Sequence, residues 1–422
     1  MTELGVSFPH YRRNRICLTV DFVAFGMAMA FVNINTVLPS FVSRLTDSAL
    51  LVGLISTLVS GSWLLPQLIA ANYLVHKPRK KPYLLLPAAL GRPTWWLLAT
   101  LLVLVGDSAP ALVLTAFFAV LVLFMGSDGL AAVAWFDILN KSIPAERRGR
   151  LVGTAQILSG LASVGVGWLV GEILGADGPP FPYNYALLFF LSGVSLLISL
   201  VALVFLRERK LEAPPGTKGE EKFWRRLWTV LRNDRQFRLV TAVRLLFGLG
   251  GMATPFYMVY GTEVLALPPE TIGLATSMQV LGSIIAGVVL GYIQEKQGSK
   301  LVVLCSTALG VAVPLLALLT RALPGGTLLL TWVYASVFVV IGIVNSSIML
   351  GFLNFVMELA PPHDNPTYMG LYNALSGLLL ITPMVGGWLL EATSYAALFA
   401  WSAMGAGLGL LLSFRLKEPR QQ

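Results

Sequence analysis

The chain has 422 residues, of which 56% are hydrophobic and only 12% charged, with a mean hydropathy of +0.75. A water-soluble domain carries about twice that share of charge, so the composition excludes an ordinary soluble enzyme and places most of the chain in lipid. Lysine and arginine outnumber aspartate and glutamate by 30 to 21, an excess that suits nucleic acid or an anionic surface until the positions of the charges are known. Two cysteines, Cys17 and Cys305, and three histidines, His10, His76 and His363, offer no disulfide framework or metal cluster, so neither metal nor cofactor is expected.

Apolar windows of about 20 residues, the helix length that crosses hydrocarbon, recur along the whole chain. Twelve are predicted, at 16–39, 51–74, 83–105, 110–138, 151–174, 185–206, 238–261, 271–293, 301–320, 327–356, 370–390 and 395–414. The first follows the basic segment Tyr11-Arg12-Arg13-Asn14-Arg15, but it is too long for a signal peptide and lacks a small-residue cleavage site. It is expected to remain as an anchor. The N-terminal tail, the loops 76–81, 141–150, 207–238 and 294–300, and the C-terminal tail together hold 26 of the 30 basic residues. The opposite loops hold only Arg44 and Arg321, while Arg92 and Arg244 fall inside spans. The positive-inside rule then makes both termini cytoplasmic in a multi-pass protein of the plasma (inner) membrane. The positive excess becomes a topology signal, and no basic, aromatic face outside the bilayer is left for nucleic acid.

The chain also repeats itself. Gly153-Thr154-Ala155-Gln156-Ile157-Leu158-Ser159-Gly160 opens the fifth span, and Gly370-Leu371-Tyr372-Asn373-Ala374-Leu375-Ser376-Gly377 opens the eleventh. Gly167-Trp168-Leu169 answers Gly387-Trp388-Leu389, Phe25-Gly26 answers Phe247-Gly248, and Tyr185, Phe189 and Glu208 answer Tyr395, Phe399 and Glu418. The fold class is therefore an all-α membrane protein with two pseudo-symmetric six-helix bundles, 1–206 and 238–422. They are joined by a cytoplasmic linker, 207–237, in which Phe223 to Leu231 reads as a basic amphipathic interfacial helix.

A six-plus-six parallel repeat resembles the major facilitator superfamily of secondary transporters, in which rocking of the halves about a midplane site gives alternating access. The loop after the eighth span, Gly291-Tyr292-Ile293-Gln294-Glu295-Lys296-Gln297-Gly298-Ser299-Lys300, is similar to the family's Gly-x-x-x-Asp-Arg/Lys-x-Gly-x-Lys/Arg motif, with Glu295 in place of the aspartate. The copy after the second span, Asn72 to Lys81, keeps the basic residues and loses the glycines and the acid. Asp137 to Arg150, with Arg148 and Gly149, resembles the loop between spans four and five. The resemblance implies a cytoplasmic gate built on Gly291, Glu295, Lys296, Gly298, Lys300, Asp137, Arg148 and Gly149. It also implies that spans one, four, seven and ten line the cavity, which gives that cavity Asp21, Asp128, Arg244 and Asn345.

An ionisable group inside a span costs about 2.5–3.5 kcal/mol on insertion scales, so each one is a functional candidate. Counted at 1.5 Å per residue, Asp21 and Arg244 lie roughly 9 Å from the cytoplasmic boundary, and Arg92 and Asp128 roughly 15–18 Å. Asp128 reads either as a proton-exchanging carboxylate or as the buried partner of Arg92 at matching depth. Asp21 reads as a gate toward Arg244 or as a helix-end carboxylate paired with Arg12, Arg13 or Arg15, and Arg244 as a residue that snorkels to the headgroups. Asn33 and Asn345 sit on presumed cavity helices, and Trp63 and Tyr257 lie deep enough to contact a ligand. Glu391, at an outer helix end, is expected to be solvated.

No nucleophile, base and metal constellation can be assembled within the spans, so an enzyme is not expected. The expected partners are a small molecule, protons and the lipid bilayer, and the expected state is a monomer. The reading is proton-coupled export of a small apolar or amphipathic molecule. Its rivals are a metabolite uptake symporter that uses Arg92 or Arg244 for an anion, a lipid flippase, and a non-transporting assembly factor on the same fold.

Overall fold

The structure, a computed structural model, describes residues 2–3, 6–7, 10–74, 77–106, 108–208, 230–323, 328–361 and 364–421. A pair of two-residue strands, Thr2–Glu3 with Val6–Ser7, precedes twelve helices long and apolar enough to cross a membrane. In chain order these are α1 Tyr11–Phe31, α2 Ala49–Gln67, α3 Lys81–Val105, α4 Pro110–Ser142, α5 Glu146–Leu174, α6 Tyr183–Phe205, α7 Arg235–Glu263, α8 Glu270–Gln297, α9 Ser299–Ala322, α10 Leu328–Leu359, α11 Thr367–Ala392 and α12 Tyr395–Ser413. Most of the Phe223 to Leu231 interfacial helix expected in the linker lies outside the described residues.

Several spans are interrupted where the sequence removes or diverts a backbone hydrogen bond. The first apolar window is not one helix: α1 ends at Phe31, and a short helix, Val37–Ser43, follows. Between them the Asn33 side chain accepts the Asn35 amide at 2.9 Å, a local bond that competes with the helical ladder. α3 is broken at Arg92 and Pro93 into Lys81–Gly91 and Thr94–Val105, because proline brings no amide hydrogen to the ladder. α7 passes through a 3-10 turn at Gly250–Ala253, α10 through a π-helical turn at Ile348–Leu353, and α11 through a 3-10 segment at Gly377–Ile381. Such departures mark places where neighbouring groups have to satisfy freed backbone atoms.

Close packing divides the chain into two units, Met1–Leu45 with Leu58–Gly216, and Thr46–Thr57 with Thr217–Gln422. Within the first, α1 packs on α5 and α6, and α3 packs on α4 and α6. Within the second, α7 packs on α12, and α9 packs on α10 and α12, so the same neighbours recur. Each unit has its own apolar core, around Leu18, Leu84, Ala134 and Leu203 in the first and around Phe237, Phe247, Phe352 and Phe355 in the second. One close helix crossing is also repeated. A side chain at Gly129 on α4 would strike the Trp63 carbonyl of α2, and one at Gly342 on α10 would strike the Gln279 carbonyl of α8. Small residues at such crossings let two backbones approach, which substitutes in lipid for hydrophobic driving force.

The repeat extends to polar detail at the basic side. Glu208 accepts the Lys80 and Lys81 amides at 2.7 and 2.9 Å at the start of α3. Glu418 accepts the Lys300 amide at 3.0 Å at the start of α9. In both places a carboxylate supplies the acceptor that a helix N-terminus lacks. Glu391 is exposed, as expected, and also hydrogen-bonded: its carboxylate accepts the Ser48 hydroxyl at 2.7 Å and the Leu50 amide at 3.0 Å, closing the first turn of α2 inside the second unit.

Candidate functional site

The intramembrane charges of the first unit gather around the break in α3. The bend at Arg92 and Pro93 turns the guanidinium toward α1 and α6, where Arg92 and Asp21 are both buried. Arg92 Nη2 lies 3.7 Å from Asp21 Oδ1, and its Nη1 donates to Ser199 Oγ at 2.9 Å. Ser199 in turn donates to Asp21 Oδ1, and Trp135 Nε1 donates to Asp21 Oδ2 at 2.8 Å. The Arg92 guanidinium also stands 6.0 Å from the centre of the Phe25 ring. Both carboxylate oxygens and the guanidinium are thus occupied, the condition under which a buried ion pair is tolerated.

This arrangement differs from the depth-based expectation. Arg92 pairs with Asp21 on α1 and not with Asp128 on α4, and Asp21 is not held by the basic residues of the tail; Arg13 Nε donates instead to the Phe205 carbonyl at 2.7 Å. Depth along a helix follows from its rise, whereas the direction of a side chain depends on how the helices rotate against each other. Asp128 remains outside the pair. Its Oδ2 accepts Trp63 Nε1 at 3.1 Å, and among the described residues no cation lies within ion-pair distance. Arg92 acts on it only from farther away. The Trp63 ring is 37% exposed, so the indole and the carboxyl together present a polar spot on a partly open surface of the unit.

The remaining candidates separate. Asn33 is used in the turn after α1. Tyr257 is 2% exposed and stacks on Phe399 at 4.9 Å, while Tyr334 donates its hydroxyl to the Tyr257 carbonyl; it is part of a packed aromatic cluster with Tyr260 and Tyr395. Asn345 is exposed on α10. Arg244 on α7 rests against Phe247 and Phe352, its Cζ 6.0 and 5.8 Å from the ring centres, so the side chain lies on aromatic faces. Its Nε is buried without a hydrogen bond, which differs from the snorkelling expected of it.

The motif residues at the basic side are held within their own units. Gly298 has φ +88°, a left-handed conformation that favours glycine, and a side chain there would strike the Glu418 carboxylate. Arg420 bonds the Glu295 carbonyl at 3.1 Å and pairs with Glu358 at 2.6 Å. Hydrogen bonding and the charge of Glu358 hold the Arg420 guanidinium even more firmly protonated than usual. Lys300 is tied through its amide to Glu418, and Lys296 lies in the last turn of α8. Asp137 pairs with Lys141 at 2.5 Å, and Arg148 donates to the Asn140 and Ile143 carbonyls. Gly149 and Gly291 have open space where a side chain would stand.

Sequence reasoning missed Ser199 and Trp135. Trp135 was findable, since it follows Asp128 by two helical turns and so shares its face of α4. Ser199 carried no such signal among the serines of α6.

The family model for the Major Facilitator Superfamily matches residues 20–379 and 262–422. An uncharacterized protein of Mycobacterium tuberculosis, Rv2209, is 21% identical over 253 residues, which is 59% of this chain and 48% of that protein; the chain thus matches about half the length of this curated relative. Among solved structures, a bacterial homologue of the iron transporter ferroportin in the inward-facing state superposes with TM-score 0.70 at 14% identity, covering 96% of this chain and 98% of that one. A D-xylose–proton symporter gives TM-score 0.70 at 16% identity, over 99% and 100%. The nucleoside transporter NupG gives 0.68 at 12%, over 97% and 98%. With a family match that runs through nearly all twelve spans and the same helical scaffold in solved transporters, the chain belongs to the Major Facilitator Superfamily.

Proposed function

We propose that the protein is a secondary transporter that works by alternating access and exports a small apolar or amphipathic molecule in exchange for protons. The observation that carries this reading is the contrast between two carboxylates of one unit: Asp21 is neutralised by Arg92, while Asp128 has an indole donor and, among the described residues, no cation within ion-pair distance. A carboxylate without a counter-charge inside a membrane is costly, and binding a proton removes the cost, so Asp128 is suited to load and release a proton as its surroundings change. A similar fold serves proton coupling in the D-xylose–proton symporter.

The same proposal takes residues 1–206 and 238–422 as the moving bundles and 207–237 as their linker, with both termini cytoplasmic, the plasma membrane as location and a monomer as the working unit. It assigns the Gly291 to Lys300 loop and the Asp137 to Arg150 loop to gating. The test is transport in proteoliposomes with an imposed pH gradient. Asp128→Asn is expected to abolish the response to the gradient while leaving the chain folded and substrate exchange intact; gradient-driven transport by that variant at the wild-type rate overturns the assignment.

A further inference from the structure

We infer that Arg244, with Tyr372 and Ser376, binds the anionic group of the cargo, and that the cargo is an amphipathic carboxylate with an aryl or alkyl body. This rests on the transport reading above and narrows its substrate class. Arg244 lies nine residues into α7, roughly 13 Å along the helix. Among the described residues no aspartate or glutamate lies within ion-pair distance of it, and its buried Nε makes no hydrogen bond. Tyr372, 3% exposed on α11, lies within reach of Arg244 and Ser376, and its hydroxyl makes no well-formed hydrogen bond to either. Ser376, one turn further on the same face of α11, also has a buried hydroxyl oxygen without a partner. Three polar groups thus face one another without a well-formed hydrogen bond, in a part of the chain where unmet hydrogen bonds are expensive.

Their chemistry selects the ligand. A guanidinium offers a planar fork of N–H donors that matches a carboxylate, and a phenol and an alcohol beside it add two further donors. Phe247 and Phe352, 5% and 0% exposed and stacked with ring centres 5.3 Å apart, put buried apolar rings next to the fork. An inorganic anion would meet the donors and waste the rings; a neutral apolar molecule would meet the rings and leave the donors unmet.

The test uses the purified full chain in detergent, with benzoate and decanoate as probes and benzamide and decanamide as neutral counterparts, read by thermal shift and by a fluorescence titration. The carboxylates are expected to raise the Tm of the wild type in a concentration-dependent way, and the amides are not. Arg244→Gln is expected to weaken carboxylate binding about tenfold or more, and Tyr372→Phe, which keeps the ring, about threefold. Binding is read in detergent with no pH gradient imposed, so loss of the anion site is measured separately from loss of proton coupling. The inference is overturned if amides bind as well as carboxylates, if neither binds, or if Arg244→Gln keeps wild-type affinity. Should Arg244→Gln fail to fold, unchanged affinity in both Tyr372→Phe and Ser376→Ala overturns it equally.

Discussion

The first helix of each repeat carries one deeply placed charge, Asp21 on α1 and Arg244 on α7, and the two units treat it in opposite ways. Asp21 is closed on all sides by Arg92, Ser199 and Trp135. Arg244 has two aromatic rings and an unpartnered Nε. The repeat explains why. At the offset that pairs Lys81 with Lys300, Arg92 corresponds to Val311; at the offset that pairs Glu208 with Glu418, Ser199 corresponds to Gly409. Gly409 and Gly310, the neighbour of Val311, both lie against Phe247, the counterpart of Phe25, so the second unit keeps the phenylalanine and lacks the polar partners. The scaffold is shared while its chemistry differs: one charge is paired, and the other has no ion-pair partner among the described residues.

The comparison is broken most severely at Arg92. Arg92→Gln leaves Asp21 buried without its counter-charge and is expected to cost about 3–5 kcal/mol in unfolding measured in mixed micelles, with the Asp21→Asn, Arg92→Gln double variant recovering most of it. Arg244→Gln, which breaks no pair, is expected to change stability far less; a loss as large as that at Arg92 would mean that Arg244 is structural after all.

A smaller effect addresses the shared scaffold. Gly129→Val and Gly342→Val both drive a side chain into a facing backbone and are each expected to cost about 1–3 kcal/mol, seen as a lower Tm. If only one of them destabilises, the two crossings are not equivalent. The smallest effect concerns the matched helix starts. Glu208→Ala and Glu418→Ala are each expected to cost about 1 kcal/mol in the same assay, and unequal losses would show that the repeated caps carry different loads.

Much of this was legible in the chain. Spans, repeat and charge asymmetry are written in one dimension, because lipid demands about 20 apolar residues for each crossing and positive loops stay on one side. The match of Glu208 to Glu418 was visible as spacing before the structure gave it a role. What was not legible is who faces whom. Depth placed Arg92 level with Asp128, yet the break at Pro93 and the packing of α3 on α6 aim it at Asp21. Tyr257 read as deep and ligand-facing because depth is computable from position; its burial among Phe399, Tyr334 and Tyr395 is not.

The sequence by itself determined a twelve-span membrane chain built as two similar halves, with four charges deep inside its spans, since hydropathy, length and charge sign are properties of each residue alone. Only the tertiary structure decided which of those charges are spent on one another and which are left over. Pairing depends on helix rotation and on the side chains of three helices at once, and no single stretch of sequence contains that information.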